Sequence, residues 1–149
     1  MLVVAILGVI ALVGPNLFTQ IYRFYRLHSA KVEIQRDARV ALDLIDRFLR
    51  QAQSSTVVVD QVTGQPPYSR ISFTTTQGQN MLFYQQGATL YQVAQSTTVI
   101  SQNLYYLAFT YPRSDDPTIL SIAMTMQKST YQGAFKVLQL SIEKVRVMD

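Results

Sequence analysis

His28 is the sole histidine in a chain of 149 residues that has no cysteine. A hydroxyl or thiol nucleophile would need a histidine base, and a metal would need several His or Cys ligands. Neither set can be assembled. Asp115 and Asp116 sit between Pro112 and Pro117 and could offer oxygens to Ca²⁺, but their spacing fits no calcium loop and no glycine supplies its turn. No Gly-rich phosphate loop occurs either. Catalysis, a resident metal and a cofactor are not expected. The acid–base chemistry that remains lies between side chains. Asp43/Arg47 and Asp46/Arg50 are acid-before-base pairs four residues apart, each adding about 0.3 kcal/mol to a helix.

Those pairs need a helix to hold them, and the apolar pattern supplies one. Leu27, Ala30, Ile34, Ala38, Ala41, Ile45, Leu49 and Ala52 recur at steps of three and four, which is one face of an α-helix. Ile34, Ala38, Ala41, Ile45 and Leu49 are the expected contacts with a packed head. Arg36, Asp37, Arg39, Asp43, Asp46, Arg47 and Arg50 lie mostly off that stripe. Arg36, Arg39, Asp43, Asp46, Arg47 and Arg50 are candidates for charge pairing with another subunit. Val40, Leu44 and Phe48 form a second, narrower apolar line, which predicts protein cover on more than one side.

Upstream, residues 1–22 carry no charge. At helical rise they span about 33 Å, enough for a hydrocarbon core of about 30 Å. Gly8, Gly14 and Pro15 interrupt this segment. Pro15 lacks an N–H and its ring crowds the carbonyl of Ala11, which predicts a kink or a short unwound stretch around residues 8–16. A cleavable secretory signal would show a basic start and a small-residue cleavage site, whereas Gly14-Pro15 stands where that site belongs. An ordinary signal anchor is the plainer alternative.

The net charge of +4 is uneven: Arg23, Arg26 and Lys31 follow the apolar segment before the first acid, Glu33. Cations there mark a headgroup boundary. Taken alone they would place the C-terminal part in the cytoplasm, unless a basic leader precedes Met1. Phe18, Tyr22, Phe24 and Tyr25 cluster at the same level, which suits interfacial anchoring. The rest of the chain has no comparable basic run, so nucleic acid is not an expected partner.

After Ala52 about 97 residues remain, enough for one modest core. Alternating apolar runs predict strands at 56–62, 70–76, 81–85, 89–93, 97–100, 104–111, 119–127 and 135–148, with turns at Gly64, Gly78, Gly87 and 128–134. In the seventh run Leu120, Ile122, Met124 and Met126 share a face. Short turns between strands imply an antiparallel sheet laid against the amphipathic half of the helix. The fold class is α+β. Residues 1–52 form the helix, with a membrane or filament-core part at 1–22 and an amphipathic part at 23–52. Residues 53–149 form the β head.

This layout resembles the type IV pilin superfamily of major pilins, minor pilins and type II secretion pseudopilins. The run MLVVAILGVIALVGP, with Gly8 and Pro15 about one helical stretch apart, is similar to the pattern just inside a mature pilin helix. QRDARVALDLIDRFLRQ (35–51) resembles the helix of minor pilins of the secretion J and pilus W type, and 71–76, 81–93 and 99–111 are similar to their β-domain. The resemblance implies a subunit anchored in the inner membrane and then polymerised, with copies of itself or related pilins, into an extracellular or periplasmic helical filament. Ala5, Gly8, Ala11, Gly14 and Pro15 would pack in its core. It also implies an alternative, a minor subunit that primes a pilus or secretion fibre; the competing class outside the resemblance is a solitary signal-anchored binding module. The family carries a glutamate a few residues into the helix, thought to neutralise a neighbour's terminal amine. Here no acid precedes Glu33, so that role passes to no residue of this sequence.

Overall fold

A computed structural model of the chain describes residues 2–130 and 136–147. One helix, α1 (Leu2–Leu49), is followed by a 3-10 turn at Ser54–Thr56 and eight strands. These are β1 (Val58–Asp60), β2 (Arg70–Thr74), β3 (Asn80–Gln86), β4 (Thr89–Val93), β5 (Thr97–Ser101), β6 (Leu104–Thr110), β7 (Ile119–Ser129) and β8 (Lys136–Arg146). The arrangement is α+β, a long N-terminal helix packed against antiparallel strands.

The helix runs unbroken through Pro15, so the expected unwound stretch is absent. Proline removes one donor, yet the carbonyl of Pro15 accepts a bond from Thr19 Oγ1 at 2.7 Å. The helical turns on either side continue. After Leu49 the chain folds back on itself: Gln51 O accepts from Thr76 N and Gln53 N donates to Thr74 O, at 2.8 and 2.9 Å.

The strands form two antiparallel sheets where one was expected. The first has the order β1-β2-β3-β4-β5 and the second β6-β7-β8. Each strand pairs with its neighbour in sequence, as short turns dictate. Gly64, Gly78 and Gly87 hold positive φ in those connections, a conformation open to glycine without Cβ strain. The expected turn at 128–134 begins later, because Lys128 and Ser129 are still paired in β7; residues 131–135 lie outside the described residues.

The separation into two sheets has a local cause. Residues 101–103 turn the chain away from β4, tied by Asn103 N to Ser101 Oγ at 3.2 Å and Gln127 N to Asn103 O at 2.8 Å. The edge of β6 left open is then satisfied without a ladder. Leu104 N donates to Ala88 O, Phe109 N to Tyr68 O, and Leu107 N to the Gln85 side chain, at 2.8–3.0 Å. Gln85 is buried, and its Nε2 donates to Gly87 O and Tyr105 O. One buried glutamine therefore stitches β3 to β6, with every polar atom partnered, as a dry interior requires.

The core lies between α1 and the inner faces of both sheets. Ile34, Ile45 and Leu49 meet Ile71, Met81, Phe83, Leu107, Phe109 and Leu120, all fully buried or nearly so. Leu120, Ile122, Met124 and Met126 share the inner face of β7. On β8 the outward positions Leu140 and Ile142 are exposed.

Candidate functional site: the two faces of the long helix

Helix α1 is 48 residues long, about 72 Å at helical rise. Among the described residues, the head buries no side chain of its first half. From Val3 to Ser29 every residue is exposed except Gly14, which is half-buried, and Ala30 is the first to be covered. Leu12 and Phe18 are 77% and 74% exposed. A side chain on Gly8 or Gly14 would meet open space. Ala5, Gly8, Ala11 and Pro15 are likewise bare, so all five residues named for filament-core packing lie on unpartnered helix surface. The segment is long and apolar enough to cross a membrane. Exposed apolar surface on this scale needs lipid or protein around it.

The second half is anchored. Ile34, Ala38, Ala41, Ile45 and Leu49 are each at most 2% exposed, lying against the head. The narrower line is only partly covered: Leu44 and Phe48 pack on the core, Phe48 against Phe83 at 6.2 Å, while Val40 stays exposed. Cover on more than one side thus extends to Leu44 and Phe48 and stops there, because the sheets wrap only the end of α1.

Two polar links fasten helix to head. Lys128 of β7 pairs with Glu33, and Asn103 Nδ2 donates to Asp37 Oδ2 at 3.1 Å. Residue types alone had not singled out Lys128 or Asn103. The available signal is that neither Glu33 nor Asp37 has a base four residues on, which leaves both carboxylates open to partners from the head.

The six candidate charges divide. Asp46 accepts from Arg50 Nε at 2.7 Å, the expected i,i+4 pair. Asp43 and Arg47 do not meet; the Arg47 guanidinium lies over the Phe48 ring, 5.8 Å from its centroid. Arg36 reaches Asp37 at 3.4 Å, and Arg39 points to solvent. Asp37 and Asp46 are half-buried beside the head, whereas Asp43 and the four arginines are exposed. Glu143 of β8 faces the same helix turns, and its pKa is raised, first by burial and then by Asp46 and Asp43, with Arg50 opposing.

The other residues weighed for chemistry find structural partners. His28 stacks on Phe24 at 6.2 Å. Asp115 pairs with Arg113 at 3.1 Å, and Asp116 accepts from the backbone and hydroxyl of Thr118, which hold its pKa down. Among the described residues no three metal-ligating side chains converge. In the first sheet Arg70 grips Asp60 and lowers its pKa. The chain matches no family model and no curated protein at a significant level.

Proposed function

We propose that this chain is a structural subunit of a type IV pilus-like filament, assembled through the bare half of its helix. One observation carries the reading: a single unbroken helix has a sealed half and an apolar half that the described residues of the head leave exposed. In the membrane, lipid covers the bare half. On assembly the segment leaves lipid and packs against equivalent helices, where small residues such as Ala5, Gly8 and Ala11 allow close approach. The outward arginines and Asp43 lie where a neighbouring head or helix would pass. The role is structural, with no chemistry asked of any side chain, and the filament lies outside the cytoplasm.

Electron microscopy of material sheared from cells that produce the chain tests this. Filaments whose protein is mainly this chain are the expected result. A few copies per filament would make it a priming minor subunit instead. Monomers in the membrane and no filaments would make it a solitary anchored module.

A further inference from the structure

The sealed and bare halves meet at Ala30, and a small cleft of about 190 Å³ opens there between α1 and the end of β7. Tyr25, Arg26 and Ser29 line it from the helix, and Lys128, Ser129 and Thr130 from the end of β7 and the residue after it. Two cations and three hydroxyl side chains therefore converge. The one acid among the described residues of the cleft, Glu33, is already engaged by Lys128. Arg26 is held in place by its own helix: Nε donates to Tyr22 Oη at 3.2 Å, and the guanidinium lies 5.3 Å from the centre of the Tyr22 ring. Arg23 and Lys31 add positive charge on the same turns.

The depth of this cleft says what it meets. Arg26 lies four residues past Tyr22, where the uncharged segment ends, and Ser29 seven. These steps are about 6 and 10 Å of helix. The polar headgroup layer beyond the hydrocarbon is about 5–8 Å thick. With the apolar segment in a bilayer, the Arg26 end of the cleft lies within the headgroup layer and Ser29 at its outer edge.

We propose that this cleft binds the phosphate of an anionic phospholipid headgroup, so that the end of β7 docks the head upright on the membrane surface before assembly. The proposal rests on the membrane-resident state in the reading above. Arg26 and Lys128 supply the charge, and the hydroxyls of Ser29 and Ser129 donate to phosphate oxygens. Glu33 tempers the site by holding Lys128.

The full chain in nanodiscs of phosphatidylcholine with a minority of phosphatidylglycerol, released gently and weighed with its retained lipid, provides the test. The parent should retain phosphatidylglycerol above its share of the bilayer. The double variant Arg26→Gln, Lys128→Gln should lose that enrichment by about 10- to 30-fold, while Arg39→Gln, Arg47→Gln, further along the helix and outside the cleft, should keep it. Glu33→Gln should raise it, a gain that misfolding does not produce. A parent in nanodiscs that retains the two lipids in bilayer proportion overturns the lipid site and leaves membrane residence intact. Equal loss in the Arg39→Gln, Arg47→Gln variant also overturns it. Displacement of retained lipid by millimolar inorganic phosphate would make this a site for free phosphate and end the lipid assignment. A parent that does not enter nanodiscs undoes the membrane reading and the proposal with it.

Discussion

The two halves of α1 share one backbone and one set of helical hydrogen bonds, yet only one is part of a folded core. Residues beyond Ala30 bury a stripe at every third or fourth position, while those before it bury nothing in this chain. Helix formation and helix burial are therefore separate matters here. A long helix propagates once nucleated, so the covered half can template the bare one. What the bare half lacks is a solvent that suits it. Its stability is deferred to a lipid or a neighbour, whereas that of the covered half is complete within one chain.

This contrast breaks most sharply under truncation. Ile45→Ala or Leu49→Ala should cost about 2–5 kcal/mol of head stability, since both sites are fully buried. Ile10→Ala, 61% exposed in the parent, should leave head unfolding unchanged. Urea unfolding of the full chain in detergent micelles, followed by tyrosine fluorescence, compares them. Equal effects would mean that the two halves are one cooperative unit.

The contrast sharpens at the join between the sheets. Gln85→Leu removes the acceptor of Leu107 N and the donor to Tyr105 O. Stranding buried polar groups should cost about 1–3 kcal/mol. Because β6 is held to the first sheet by this side chain, the loss should also speed amide exchange at Leu107 while amides of β7 remain protected. Uniform loss of protection across both sheets would show a single unit.

Asp43 tests the outward face. It is exposed and meets no base of its own chain in the described structure, for Arg47 turns to Phe48. If the chain polymerises as proposed, Asp43→Arg should lower the salt concentration that dissociates its filaments, each contact contributing about 0–1 kcal/mol, with partial rescue by reversing the partner's charge. Unchanged filaments in salt would remove Asp43 from the interface. Monomer unfolding should barely move.

The smallest effect is a pH dependence where β8 faces the helix. Burial and the Asp43 and Asp46 carboxylates raise the pKa of Glu143. The folded state then binds its proton more tightly than the unfolded one, so ionising Glu143 weakens the fold as pH rises through the raised value. Glu143→Gln should stabilise the chain at neutral pH, and that gain should vanish below about pH 4, under the ordinary glutamate range. Asp60 runs the other way: its bond to Arg70 lowers its pKa, giving stability that is lost as pH falls through the lowered value. Asp60→Asn should flatten the acid side of the curve. Urea midpoints across pH separate the two.

Much of this fold was legible in residue types and spacing. The 3–4 periodicity from Ala30 to Leu49 identified the buried stripe because a helix face is set by local geometry. Alternation located the β7 face for the same reason. The uncharged opening announced a segment that water would not suit. The unwound stretch expected at Pro15 is absent: one missing donor in a long helix is a local loss, and the helical turns around it persist. The second sheet was also beyond reach of pattern. Strand alternation says which side chains face inward but not which edge accepts which carbonyl, and the split depends on Gln85, Tyr68 and Ala88 meeting the edge of β6.

Local chemistry thus determined the elements, their buried faces and the membrane-length segment, since each follows from side chains a few residues apart. Tertiary structure alone decided the division into two sheets, the links from Glu33 to Lys128 and from Asp37 to Asn103, and the cleft that Arg26 shares with Lys128. Those pairings join residues far apart in the chain, where geometry depends on how whole elements pack and no short spacing records it.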